Sequence, residues 1–261
     1  MQYVKPKKHL GQHFLKDKAV AQDIVDAFKA DLGQSPILEI GPGTGVLTHL
    51  IMQQLPNPFK VIEIDKESVS YLQEKLGLPQ EQIIEEDFLR LNTDKYFSDG
   101  FNIIGNFPYN ISSQIFFKVL EDRQKVQKLT CMIQKEVADR ITTQSGGRTA
   151  GILTMLVQAF YNVKHEFDVP PQVFIPPPKV TSSVITLQRN NTAELACDEK
   201  LFFKVIKQAF AMRRKTLRNN FKIFKLPNEI VSDEIFSKRA ETLSVKDFVW
   251  LTNLVSEHQT K

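Results

Sequence analysis

A chain of 261 residues, 42% hydrophobic and 25% charged, has the composition of a soluble globular protein with room for one large α/β domain and a small appendage, and its core needs no disulfide. Its two cysteines, Cys131 and Cys197, form no C-x-x-C pair, which excludes a disulfide scaffold and a cysteine-based metal motif. A net charge of +4 decides nothing alone, no apolar run reaches the length of a bilayer span, and no apolar stretch of the signal-peptide type follows the basic start, so a cytoplasmic protein is expected.

Short apolar runs alternate with helical patterns over residues 20 to 140. AVAQDIVDAFKA places Val20, Ile24, Val25 and Phe28 at helical spacing. SPILEIG reads as a buried strand ending in glycines, and TGVLTHLIMQQL as a helix closed by Pro56 and Pro58. FKVIEID, EQIIEED, FNIIGN and KLTCMIQ are further strands, with helices over SVSYLQEKL and SSQIFFKVLE, the latter with serines placed to cap its start. Such alternation predicts a mainly parallel, doubly wound sheet. After the glycine-rich loop SGGRTAG comes a helix over ILTMLVQAFY, then two strands, NVKHEFDVP and VTSSVITLQR, joined by a proline-rich connection and expected to close the sheet as a hairpin. From Leu201 only helical patterns remain: LFFKVIKQAFAMRRKTLRNNF, PNEIVSDEIF and SVKDFVWLTNLVSEH. The predicted domains are therefore 1–189, an α/β domain with a basic N-terminal arm, and 190–261, all-α.

The first strand runs into GPGTGVLT, with Gly41, Gly43 and Gly45 at the strand-to-helix turn. Glycine there permits positive φ and close approach of a ligand to the backbone. The spacing is G-x-G-x-G with Glu39 just ahead, and a carboxylate repels a pyrophosphate while favouring a cationic amino-acid tail. Glu63 ends the second strand at the distance typical of an acid that bonds a ribose diol. Glu86-Asp87-Phe88 ends the third, where Asp87 can accept from an adenine amine. A ribose, an adenine and a charged amino-acid tail without phosphate describe S-adenosylmethionine.

The fourth strand stops at Gly105-Asn106-Phe107-Pro108-Tyr109, where a substrate would meet the cofactor's methyl group. The Asn106 side-chain oxygen accepts from an amine, Pro108 stiffens the turn so that the Phe107 carbonyl can face the pocket, and Tyr109 offers a stacking face to a base. Neither a nucleophile nor a metal is required. A base within folded RNA must leave its stack to enter, and Phe174, beside the prolines of QVFIPPPKV, is the candidate for its second face.

Charge is unevenly spread. Lys5, Lys7, Lys8, Lys16 and Lys18 stand near the start, and RRKTLRNNFKIFK (213–225) carries Arg213, Arg214, Lys215, Arg218, Lys222 and Lys225 with no acid. Such clusters suit a polyphosphate partner or form a solvated helix face.

With HLGQHFL, EIGPGTGVLT, VIEID, EDF, GNFPYNIS, MIQKEVADR, FIPPPKVTSSVI and AFAMRRKTLRNN in that order, the chain resembles the KsgA family of small-subunit ribosomal RNA adenine dimethyltransferases over nearly its whole length. The resemblance implies a Rossmann-like, seven-stranded α/β methyltransferase sheet with a small C-terminal helical RNA-binding domain. It implies transfer of methyl groups from S-adenosylmethionine to the N6 amines of two adjacent adenosines near the 3′ end of that RNA, on a 30S particle, by a monomer without a metal. His13 and Leu15 would then line the cofactor pocket with Gly41, Gly43, Glu63, Asp87 and Phe88. Asn106 and Phe107 would lie where cofactor and target amine meet, Tyr109 and Phe174 would hold the base, and Lys7, Lys8, Arg213, Arg214, Lys215 and Arg218 would touch RNA. Position 13 is His where Asn is frequent in the family, and position 107 is Phe where Leu is frequent. Three other readings differ in substrate or class: a large-subunit ribosomal RNA adenine methyltransferase, which the PPPKVTSSVI and RRKTLRNN segments disfavour, a DNA adenine methylase, whose usual tetrad begins with Asp and which would need a separate recognition domain, and a non-enzymatic RNA-binding assembly factor.

Overall fold

A computed structural model describes residues 4–144 and 146–259; Ser145 of the predicted glycine-rich loop lies outside them. The chain divides into two compact units, Met1–Ala138 with Asn162–Arg189, and Asp139–Tyr161 with Asn190–Lys261. Among the described residues no helix is long and apolar enough to cross a membrane.

The first unit is built on a seven-stranded sheet. Its strands are β2 (Ile37–Ile40), β3 (Phe59–Ile62), β4 (Ile83–Ile84), β5 (Phe101–Asn106), β6 (Val126–Gln134), β7 (Tyr161–Val169) and β9 (Ser182–Arg189), in the order β4-β3-β2-β5-β6-β9-β7. Strands β4, β3, β2, β5 and β6 run parallel and β9 pairs antiparallel to β6. All four residues of β2 are buried, as the centre of a sheet covered on both faces requires. Two residues of the arm, β1 (Phe14–Leu15), pair antiparallel with β8 (Phe174–Ile175), a ladder the sequence reading did not foresee.

Helices α1 (Lys18–Lys29), α2 (Val46–Gln54), α3 (Lys66–Leu76) and α4 (Ser112–Glu121) link these strands. In α1, Asp17 caps the first turn by accepting from the amides of Ala19 and Val20, and the face made by Ala21, Ile24, Val25 and Phe28 is buried. The start of α4 corrects an expectation: no side chain caps it. Ser112 instead donates its hydroxyl to the Tyr109 carbonyl at 3.3 Å, tying the turn that follows β5.

Buried Lys128 on β6 donates to the carbonyls of Ala27, at 3.4 Å, and Ala30 at the end of α1. A cation there satisfies carbonyls that the helix leaves open and meets the negative end of its dipole. Burial lowers the Lys128 pKa.

The glycine of GNFPY is required by the meeting of two strand ends. A Cβ at Gly105 would lie 2.5 Å from the Ile40 carbonyl oxygen, a backbone atom with little freedom to retreat. Gly105→Ala is expected to destabilise the fold by about 3 kcal/mol, as overpacking of a closed core does. Denaturant unfolding checks this, and a loss below about 0.5 kcal/mol, the range of an ordinary surface change, would show that the two ends separate freely.

In the second unit α6 (Ile152–Phe160), α7 (Glu199–Ala209) and α10 (Val245–Gln259) pack together; α5 (Lys135–Thr142) leads into it. The single long helix expected from Leu201 to Phe221 is broken: α7 ends at Ala209 and a short α8 (Leu217–Asn220) follows, before an equally short α9 (Asn228–Val231). Asn220 supplies the reason. Its side-chain nitrogen donates to the carbonyls of Ala209, at 2.5 Å, and Met212, at 3.4 Å, while its backbone carbonyl accepts from the Gln208 side-chain amide at 2.6 Å. These bonds close the end of α7 from outside the helix. The break leaves Arg213, Arg214, Lys215, Arg218, Lys222 and Lys225 exposed around buried Leu217, Phe221 and Phe224. Among the described residues none of these six cations pairs with a carboxylate.

Candidate active site

Across β3, β2 and β5 the parallel strands deliver their carboxyl ends to one edge of the sheet, where ligands of doubly wound folds bind. There the first unit holds an open cavity of about 170 Å³. Its wall includes His13, Gly41, Gly43, Glu63, Asp87, Asn106, Phe107 and Tyr109. Eight residues chosen from sequence thus meet at one place. The arm from His9 to Phe14 forms another wall.

Three predicted residues do not line this wall. Leu15 is buried and lines the adjoining recess that also holds Glu39, Gly41, Gly43 and Asn106. Phe88 is buried too, and Leu89 takes its place in the wall. Phe174 is 1% exposed, in one core cluster with Leu15, Ile24 and Val184; the β1–β8 ladder turns its ring inward, and it does not reach the cavity.

The glycine turn is closed by the arm. Gly43 has φ +55°, and a Cβ on it would lie 2.8 Å from the Phe14 ring. The Gly43 amide donates to Glu63 Oε2 at 3.3 Å, and the amides of Ile64 and Asp65 donate to Glu63 Oε1, both at 2.9 Å. Burial raises the Glu63 pKa while these amides oppose it. Asp87 is more open; it caps the turn after β4 by accepting from Leu89 N at 2.9 Å.

Glu39 behaves differently from the standing charge expected of it. It is 1% exposed and bonded to the Thr48 hydroxyl at 2.7 Å. Burial, reinforced by the nearby Glu63 charge, pushes its pKa up to about 8 against the opposing pull of the Thr48 bond, so the group is mostly protonated at neutral pH. It lines a recess shared with Gly41, Gly43 and Asn106, and a cation arriving there favours ionisation.

At the end of β5, Asn106 donates its side-chain nitrogen to the His13 carbonyl at 2.9 Å. A carbonyl only accepts, so this bond sets the amide's orientation and leaves Oδ1 as the acceptor. Phe107 buries its ring edge-on against Phe116, at 6.2 Å between centroids, and presents backbone to the cavity. Its amide is held by the Met132 carbonyl at 3.1 Å. The next two carbonyls, of Pro108 and Tyr109, accept from Ile111 N and the Ser112 hydroxyl. Among the described residues neither Asn106 Oδ1 nor the Phe107 carbonyl has a hydrogen-bond partner.

Lys7, expected on RNA, is engaged inside the unit. Its ammonium pairs with Asp65, and with Glu67 at 3.2 Å. Gln12 adds a bond to Asp65 at 3.1 Å. Both residues fasten the arm to the stretch after Glu63. Sequence reasoning missed Gln12, Phe14, Asp65 and Ser182, although all four sit in segments that carry the resemblance.

S-adenosylmethionine fits these residues. Glu63 Oε2 has a single long bond and can still accept from a diol, Asp87 retains acceptor capacity for an amine, and Ile64 and Leu89 offer apolar surface between them. A sheet of this order with acids and glycines at its carboxyl edge defines a Rossmann-like methyltransferase. The profile of the family described as Ribosomal RNA adenine dimethylase matches residues 4–255, and the chain belongs to that family of S-adenosylmethionine-dependent enzymes. It is 54% identical over 260 residues to a ribosomal RNA small subunit methyltransferase A of Phocaeicola vulgatus, covering 98% of this chain and 91% of the relative. With the protein of that name from Cytophaga hutchinsonii the identity is 50% over 256 residues, covering 98% and 99%. Among solved structures, a dimethyladenosine transferase from Plasmodium falciparum superposes with TM-score 0.78 at 26% identity, covering 94% of this chain and 98% of that one. The 23S rRNA methyltransferase ErmE shares the fold with TM-score 0.69 at 24% identity, covering 95% and 100%.

Proposed function

We propose that the protein dimethylates the N6 amines of two adjacent adenosines near the 3′ end of small-subunit ribosomal RNA, acting as a monomer on a 30S particle in the cytoplasm. The carrying observation is the pair of neighbouring free acceptors, Asn106 Oδ1 and the Phe107 carbonyl, on the cavity wall beside the glycine turn and Glu63. An exocyclic amine has two hydrogens to give them. Donation to both draws its nitrogen away from planarity and turns its lone pair outward, an effect of orientation and fixed dipoles that needs no general base to start the reaction. S-adenosylmethionine, when bound, supplies a methyl group on a cationic sulfur. Glu63 would hold its ribose, Asp87 its adenine, and the recess lined by Leu15, Glu39, Gly41 and Gly43 its amino-acid end. The methylated nitrogen is cationic until it gives one proton to water; one hydrogen then remains on the amine, and one of the two acceptors still suffices to orient it.

Tyr109 is proposed to stack on the target base. Lys8 and the exposed cations at 213, 214, 215 and 218 are proposed to hold phosphates, and the helical domain from residue 190 to present four of them. Such contacts position RNA and carry no sequence information.

Incubation of labelled S-adenosylmethionine with unmethylated 30S and 50S particles tests the assignment. Label is expected as dimethyladenosine at two neighbouring positions near the 3′ end of the small-subunit RNA. Label confined to large-subunit RNA would replace this reading with the related activity on that subunit, and RNA binding with no transfer to either would leave a binding factor.

A further inference from the structure

Ser182 and Ser183 open β9 beside the last residues of β6, Gln134 and Ile133. Successive strand residues face opposite sides, and the two serines do different work. Ser183 donates to Asp168 at 2.7 Å, where Lys135 and His165 also converge. Ser182 is fully buried, and its Oγ lies 2.5 Å from the Tyr109 hydroxyl. On Tyr109's ring face, the His13 imidazole stacks at 5.2 Å between centroids with 27° between planes. His13 Nδ1 is in turn 2.7 Å from the Pro176 carbonyl, to which it must donate.

These contacts remove different freedoms. The tyrosine oxygen lies on the ring's long axis, so a bond to it fixes where the axis points and leaves the ring free to spin. Rotation of a tyrosine about that axis is a broad, soft torsion, and a flat neighbour is what stops it. Two ring centroids 5.2 Å apart also leave no room for a base between them, so the target must use the other face of Tyr109 or displace His13.

We propose that Ser182 is a positioning residue of the methyl-transfer site: it sets the axis of the Tyr109 ring while His13 sets its plane, so that the stacking face is in place before the adenine arrives. This rests on the reading of Tyr109 as the residue that stacks on the target base. Pre-ordering of this kind lowers the cost of capturing an extruded base. It also gives the serine of the TSS segment a role that its position in a strand does not explain.

The test is a double-mutant cycle on unmethylated 30S particles, reading kcat, KM for the particle and the dissociation constant of S-adenosylmethionine. Ser182→Ala and Tyr109→Phe are each expected to lower kcat/KM for the particle about 5- to 10-fold, the worth of a neutral hydrogen bond. The double variant is expected to lose the same factor as either single variant, since one bond cannot be lost twice. Cofactor affinity stays unchanged in all three, and Ser182→Thr, which keeps the hydroxyl, restores turnover. His13→Ala is expected to lose a further factor of about 2 to 10, the worth of a ring contact, and to multiply with Ser182→Ala because it frees another rotation. Losses of Ser182→Ala and Tyr109→Phe that multiply, or full activity in both, overturn the proposal. Tyr109→Ala separates the two layers: its inactivity beside full activity of the hydroxyl variants overturns positioning by Ser182 and leaves stacking intact, whereas its full activity overturns both.

Discussion

Asn106→Ala is expected to lower the methyl-transfer rate on 30S particles by about 10²- to 10³-fold, the range seen when one fixed polar group facing a reacting centre is removed. RNA retention, which the proposed phosphate contacts outside the cavity would carry, is expected to stay within about threefold, because phosphate contacts carry most of the affinity. The bond to the His13 carbonyl makes a second variant informative. Asn106→Asp keeps an acceptor but cannot donate, and it sets a carboxylate against that carbonyl. Turnover near the Ala level in the Asp variant shows that anchoring matters as much as accepting; near wild-type turnover in either variant sinks the proposed chemistry. Single-turnover measurements are the appropriate readout, since they separate the transfer from product release.

Glu39→Gln is expected to change stability in a pH-dependent way. The folded state holds the Glu39 pKa at about 8, against an ordinary value of 4.5. The native protein therefore keeps a proton that the unfolded chain has released. The stability so contributed is fully present below about pH 4.5 and is lost as pH rises through about 8. Glutamine, neutral throughout and still able to accept from Thr48, removes that slope. The variant is expected to match the wild type near pH 5 and to exceed it by about 4 kcal/mol at pH 9, from the roughly three pH units between 5 and the folded-state pKa at about 1.4 kcal/mol each. Denaturant midpoints at pH 5, 7 and 9 check this. Parallel curves for the two proteins would mean that Glu39 ionises freely in the folded state.

How far the sequence could be read depended on how many residues carried each signal. Strands β2, β3 and β5 are apolar runs punctuated by glycine or proline, β6 is a longer apolar run without them, and each returns where the alternation placed it. The β1–β8 ladder has two residues per strand, too few to show any period, and it is this ladder that takes Phe174 into the core. An exposed stacking ring and a buried one have the same side chain; only the strand pairing distinguishes them. The break after α7 was equally hidden, because the residues from 210 to 216 have ordinary helical composition and the carbonyls are claimed by Asn220, eight and more residues away. At the cavity, Glu63, Asp87 and Asn106 were legible because strand ends fix where their side chains emerge. Lys7 was read as a phosphate contact because a sequence shows charge without showing its partner; Asp65 lies 58 residues away.

The segment from Lys7 to Leu15 is joined to the rest of its unit by one ion-pair cluster, a few amide bonds, the Phe14 ring and a two-residue ladder. It is one side of the chamber, held at its Leu15 end by the core and elsewhere by polar contacts. Under the proposed reaction the donor must be replaced between successive transfers, and the polar fastenings at Lys7, Gln12 and His13 are the part of this wall that can part without exposing buried Leu15. The same nine residues would then serve as hinge and door, letting a fresh donor in while the acids at the strand ends keep their places.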